Sequence, residues 1–253
     1  MENEYYYNDT VTRFYDPVYE KFPNLGAGLE FYLEEIKNTA GKVLEAGVGT
    51  GRIFIPALKS GADIYGIDYS DKMLNRLKSK IDEKDFHRVS QNDMRNFKLD
   101  KKFDLVISPF RVFQHMVTIE EQLKVLDCIY KHLNPGGRYI FDVFNPDLNR
   151  ITKDVDNVQE FDGEYEPGKR LKRYSSVKFD NLNQVLNITF KFIWDEDGKE
   201  MQDEFYTPLR YFFRFELENL IARTKFKLEN IYGDFNRNEL VHTHKEFIVV
   251  CSK

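Results

Sequence analysis

Glu45, Gly47, Gly49 and Gly51 stand at alternate positions directly after the apolar pair Val43-Leu44, in the run VLEAGVGTG. That spacing predicts a strand whose end opens into a loop with three positions free of side chains, where backbone can lie flat against a ligand. A triphosphate loop needs a lysine after its last glycine, and Gly51 is followed by Arg52. A dinucleotide fingerprint needs its third glycine at the position that Arg52 holds. The acid at Glu45 instead suits a ligand that carries an ammonium group in place of a pyrophosphate. Asp68 ends the next apolar run, DIYGID, and a carboxylate there can accept from two hydroxyls at once. Glu45 and Asp68 thus fall at the ends of two strands, the edge where open α/β sheets bind ligands. Plainer roles exist for each: a surface acid for Glu45, a helix cap before Ser70 for Asp68, a core side chain for Met73.

The elements that must position these residues are legible from Gly41 to about Asn145, where short apolar runs alternate with amphipathic stretches. VLEA, DIYGID, FDLVISPF and GRYIFDVF read as parallel strands, and the stretches between them as crossover helices. Leu123, Leu126, Ile129, Tyr130 and Leu133 form the apolar stripe of one such helix, which stops at NPGG. The expected architecture is a doubly wound α/β sheet. Between about Ile151 and Tyr211 the period shortens to two. VLNITFKFIW alternates strictly, the turn DEDGKE leads into MQDEFYT, and YSSVKFD supplies a further strand, so this region predicts a small antiparallel insertion. FRFELENLIARTKF then returns to helical spacing, and KLENIYGDF and KEFIVVCSK supply two closing strands.

A chain of 253 residues can bury a substantial core, and its two cysteines, Cys128 and Cys251, have neither metal-site nor disulfide-framework spacing. The formal charge of −5 offers no broad field for phosphates, so nucleic acid is not an expected partner. The basic run Lys169, Arg170, Lys172 and Arg173 reads as a solvated hairpin face or a phosphate contact. No basic leader opens MENEYYYNDT and no run reaches the roughly 18 apolar residues of a spanning helix, so a cytoplasmic protein without a membrane segment is expected.

Glu45-Ala-Gly47-Val-Gly49-Thr-Gly51 is similar to the first motif of class I S-adenosylmethionine-dependent methyltransferases, and the resemblance extends by motif over residues 41–145. It implies a mostly parallel, seven-stranded Rossmann-like sheet with the antiparallel insertion after its fifth strand. It divides the chain into an N-terminal helical segment with the cofactor-binding core (1–150), the insertion (151–211) as lid or dimer face, and a final helix with two strands (212–253). By the same resemblance Asp68 binds the ribose hydroxyls, Tyr69 and Met73 flank the adenine, Asp93, after the third strand, accepts from its amino group, Met94 offers backbone, and Ser108 is a further cofactor-binding residue.

The segment SPFRVFQHM after the fourth strand is where this family exposes acceptor-side residues. It lacks the Asn/Asp-Pro-Pro-aromatic signature of enzymes that methylate planar nitrogens, which lowers nucleobases and glutamine as acceptors. His115 there is the candidate base, because an imidazole accepts protons near neutrality; a structural hydrogen bond is its alternative. Arg111 reads as a partner for an acidic acceptor or as a surface ion pair. Phe14-Tyr15-Asp16, Asp93-Met94-Arg95, His115 and the insertion together resemble amino-sugar N-methyltransferases, which implies that Tyr15 closes over the cofactor, or else packs in an N-terminal helix. The reading is therefore a methyltransferase acting at nitrogen or oxygen of a small molecule, with no metal. A cofactor-binding regulatory subunit and an NAD(P)-dependent oxidoreductase remain as alternatives.

Overall fold

The computed structural model describes residues 8–21, 26–147, 151 and 153–253, so most of the opening MENEYYYNDT lies outside it. The chain divides into two compact units, one formed by residues 24–146 and 211–253 and the other by residues 1–23 and 147–210.

The larger unit is built on seven strands: β1 (Val43–Ala46), β2 (Ile64–Asp68), β3 (Val89–Gln91), β4 (Phe103–Ser108), β5 (Leu133–Phe144), β10 (Lys227–Tyr232) and β11 (Glu246–Ser252). Their order is β10-β11-β5-β4-β1-β2-β3, and the pairings from β3 through to β5 are parallel while β11 runs against both its neighbours. This is the doubly wound sheet that the alternation of apolar runs implied, with the seven mostly parallel strands that the resemblance implied. The inner parallel strands β1, β2 and β4 are buried on both faces, which is why they read as continuous apolar runs. One face packs under α5 (Ile119–His132) and α6 (Arg214–Ala222) through Leu126, Ile129, Leu217 and Ile221. The other packs under α2 (Gly26–Lys37), α3 (Phe54–Lys59) and α4 (Asp71–Lys78) through Phe31, Ile36, Ala57 and Leu77. Helix α5 opens on a capping box, with Glu121 N–H donating to Thr118 and the Glu121 carboxylate accepting from the Thr118 N–H. It runs straight into β5 at Leu133, so NPGG lies inside the strand rather than before it.

The smaller unit is a four-stranded antiparallel sheet, β6 (Val155–Glu166), β7 (Lys169–Asp180), β8 (Val185–Glu196) and β9 (Lys199–Arg210), in sequential order. The antiparallel insertion is thus present with one strand, β6, that the alternation pattern did not reveal. The helix α1 (Asp9–Tyr19) packs on this sheet: Val11, Phe14 and Val18 bury against Phe161, Leu171, Phe192, Trp194 and Phe205. The division at 1–150 is corrected here, because the N-terminal helix shares its core with the insertion. Arg13 fixes the packing with a two-pronged ion pair to Glu196, both contacts at 2.9 Å, and the Trp194 indole donates to the same carboxylate.

The basic run separates by strand geometry. Lys169 pairs with Glu166 and Arg170 with Asp162 on the outside, whereas Arg173 is buried, salt-bridged to Glu160 at 2.8 Å and held between the rings of Tyr19 and Phe190. Both cysteines are free and buried. Among the described residues no helix is long and apolar enough to cross a membrane.

Candidate functional site

Strand β1 lies between β2 and β4: the chain runs outward from β1 through β2 to β3 and then crosses back to β4 on the other side. The crevice at the carboxyl ends of β1 and β4 is therefore the topological switch point of the sheet, where doubly wound folds place ligands. The glycine loop fills that point. Gly47, Gly49 and Gly51 all have positive φ, at 87°, 53° and 91°, so the alternation of glycine is a backbone requirement. Space adds to it at Gly47, where a Cβ would stand 2.6 Å from Val112 Cγ1.

Two carboxylates flank the loop, and one of them tethers it. Asp68, at the end of β2, accepts from the Gly49 N–H at 2.8 Å and from the Ser70 N–H at 2.9 Å, one on each oxygen. The cap of α4 is Ser70, whose hydroxyl accepts from Met73 N–H, so Asp68 is not the capping residue. Each Asp68 oxygen retains acceptor capacity for a further donor. Glu45 is 3% exposed, and one of its oxygens, Oε2, is buried with no hydrogen-bond partner. Desolvation, opposed by the nearby Arg52 charge and reinforced by Asp68, pushes its carboxyl up to about 8. A buried carboxylate oxygen left without a partner is costly, and an ammonium donor at that point would satisfy it. Together with the remaining acceptor capacity of Asp68, it fits a ligand bearing an ammonium at one end and vicinal hydroxyls farther on, as S-adenosylmethionine does.

The remaining expected residues separate into groups. Met73 is buried, with its methyl 3.6 Å from where a Gly49 Cβ would be, and so backs the loop. Tyr69 is half-buried and its carbonyl accepts from the Gln91 side chain. Asp93 lies after β3 with both oxygens engaged by Arg95, which also reaches Glu121 at 2.7 Å. Met94 is buried in the core on the α5 side of the sheet. Ser108 is fully buried at the end of β4, where its hydroxyl accepts from Tyr139 at 3.1 Å. Tyr15 belongs to the smaller unit, on α1, with its ring 4.5 Å from that of Tyr19.

The segment after β4 sits beside the glycine loop. Arg52 places its guanidinium over the Phe110 ring at 4.7 Å, and Arg111 is ion-paired with Glu246 at 2.9 Å. Gln114 accepts from the Phe144 N–H, which holds the short turn Val112–His115 against β5. His115 is enclosed closely enough that desolvation holds its imidazole down at about 4, so it is neutral at ordinary pH. Sequence reasoning missed Asp142 and Tyr32. Asp142 is 2% exposed on β5, and it accepts from the Tyr32 hydroxyl at 2.6 Å and from the N–H groups of Phe110 and Arg111. The signal was available: a carboxylate in the middle of the apolar run GRYIFDVF needs buried donors.

Residues 43–137 match the family model for a methyltransferase domain. The chain is 25% identical over 211 residues to the putative methyltransferase YqeM of Bacillus subtilis (strain 168), covering 79% of this chain and 78% of that protein. Against uncharacterized methyltransferases of Bacillus cereus and Bacillus cytotoxicus the match covers 65% of the relative's length. Among solved structures, an S-adenosylmethionine-dependent methyltransferase from Clostridium acetobutylicum ATCC 824 superposes with a TM-score of 0.80 at 15% identity, over 96% of this chain and 98% of that one. The sugar N-methyltransferase KedS8 from Streptoalloteichus sp ATCC 53650 superposes with a TM-score of 0.76 at 18% identity, over 97% and 95% of the two chains. At these identities the structural likeness is one of fold.

Proposed function

We propose that this chain, an S-adenosylmethionine-dependent methyltransferase, transfers the methyl group to a nitrogen or oxygen of a small-molecule acceptor, with an amine as the favoured class. The carrying observation is the orphaned Glu45 oxygen beside the positive-φ glycine loop, with Asp68 tethering that loop at Gly49. The cofactor supplies a methyl group on a sulfonium, an electrophile that needs no covalent nucleophile from the protein. The residues therefore have to bind, orient and keep the acceptor in its reactive form.

Asp68 holds the ribose, Glu45 the ammonium, and Tyr69, Met73, Asp93 and Met94 bound the adenine side. For Asp93 this adds an acceptor contact to oxygens that Arg95 already orients. Ser108 contributes through the Tyr139 hydroxyl, as a brace of the β4 end. His115, neutral at working pH, serves as hydrogen-bond acceptor to the reacting amine or hydroxyl. The fold shared with KedS8, described as a sugar N-methyltransferase, supports an amino-sugar-like acceptor.

The test is methyl transfer from labelled S-adenosylmethionine to a panel of amines, amino sugars and hydroxylated metabolites, with products resolved by mass. Transfer to none of them by the pure protein would favour a cofactor-binding regulatory subunit. On an acceptor found this way, His115→Ala should lower kcat by roughly 10-fold to 100-fold, the low end for an acid–base group, because a base held far below neutrality has a weak driving force. With the imidazole at about 4, the wild-type rate should show no histidine limb near 6.5. An unchanged kcat in His115→Ala removes the residue from the chemistry.

A further inference from the structure

The turn that leaves β4 is held against its own backbone preference. Phe110 and Arg111 are consecutive non-glycine residues with φ of 60° and 65°, in the left-handed region that side chains of this size avoid. Such strain persists only where surrounding groups over-determine it. Here one carboxylate does so. Asp142 accepts from Phe110 N–H at 2.8 Å on Oδ1 and from Arg111 N–H at 3.1 Å on Oδ2, and the Tyr32 hydroxyl, donating at 2.6 Å from α2, fixes its orientation. The left-handed pair aims Phe110 under the Arg52 guanidinium and brings Val112 so close to Gly47 that no Cβ would fit between them. Arg52 and Gly47 belong to the glycine loop.

We propose that Asp142 is a positioning residue for cofactor binding: by holding Phe110 and Arg111 in left-handed conformation it presses the turn after β4 against the glycine loop and keeps that loop in its receptive form. Asp142 has no contact with the glycine loop among the hydrogen bonds of the described residues and acts through the turn. The proposal rests on assigning the loop to S-adenosylmethionine.

A double-mutant cycle with S-adenosylhomocysteine as the titrated ligand separates this role from general support of the fold. Asp142→Asn keeps size and one acceptor but turns an NH2 group toward a backbone N–H. It should weaken binding by about 10-fold, the equivalent of one charge-assisted hydrogen bond. In an Arg111→Gly background, where glycine takes positive φ unaided, the same substitution should weaken binding by less than about 3-fold. An unchanged affinity in Asp142→Asn, or an equal loss in both backgrounds, overturns the proposal. Tyr32→Phe serves if Asp142→Asn does not fold: it should lose about 3-fold in affinity and speed amide exchange at Phe110 and Arg111 ahead of the rest of the sheet. Unchanged exchange there also overturns it. If Asp68→Ala abolishes binding while Asp142→Asn leaves it intact, the positioning role fails and the cofactor assignment stands.

Discussion

Asp68→Ala should weaken S-adenosylmethionine binding by roughly 100-fold to 10,000-fold in a calorimetric titration, since two charge-assisted hydrogen bonds to vicinal hydroxyls are each worth about 1.5–3 kcal/mol. A second loss adds to the first. The same carboxylate accepts the Gly49 N–H at 2.8 Å, so its removal also frees the centre of a loop whose three glycines already lack local conformational preference. Asp68→Asn separates the two effects. Its amide oxygen still accepts from Gly49, so the loop keeps its tether, while its NH2 group faces the Ser70 N–H and cannot accept from one of the two hydroxyls, and the loss should be roughly 10-fold to 100-fold. Burial raises the Asp68 carboxyl above the usual range although Ser70 and Gly49 N–H groups oppose the shift. A ligand donating two further hydrogen bonds brings it back down, so wild-type affinity should fall as pH drops through the acid range, and Asp68→Asn should flatten that fall. Affinity in Asp68→Ala equal to wild type would remove Asp68 from the site.

What could be read in the sequence was what depends on near neighbours. The glycine loop was legible because positive φ at Gly47, Gly49 and Gly51 is a local demand that only glycine meets freely. β1, β2 and β4 were legible because burial on both faces makes each a short apolar run, whereas the edge strand β3, VSQ, offers no such run. β6 was not, for the opposite reason: VDNVQEFDGEYE is acid-rich, mostly exposed and at the edge of its sheet, where charge is an ordinary device against further pairing. Helix α1 shows its apolar face in sequence but not the surface it buries against, and Phe14 meets Trp194, far along the chain. The same holds in the candidate site. Glu45 and Asp68 are announced by motif, whereas Tyr32 and Asp142 meet across 110 residues. Arg111, read from sequence as acceptor ligand or surface pair, finds Glu246 on the last strand, which no local pattern could indicate.

Glu45→Gln should make the unliganded protein more stable and its cofactor complex weaker. Burial raises the Glu45 carboxyl to about 8, above its value of 4.5 in an unfolded chain. With a raised folded-state value, the stabilisation is complete below the unfolded value and is lost as pH rises toward the folded one, because the unfolded chain ionises freely while the native state must keep the proton. Near pH 7.5 the carboxyl therefore detracts from stability by up to about 4 kcal/mol at 1.36 kcal/mol per unit. Glutamine removes that dependence, so the variant should melt several degrees higher at pH 7.5 by scanning calorimetry, with the gap closing toward pH 5. Cofactor binding moves the other way. An ammonium placed at Oε2 requires the ionised form, so wild-type binding should release close to one proton per site near pH 6.5, seen as a dependence of the calorimetric heat on buffer ionisation enthalpy. The glutamine variant should release none, and its affinity should be lower by roughly 30-fold to 1,000-fold, as for truncating one partner of a buried charge pair. A variant that binds as tightly as wild type, with the same proton release, would mean that the orphaned oxygen is not the ammonium receptor. The opposed signs are the distinguishing result: a carboxylate kept only for packing would gain stability on replacement and lose no affinity.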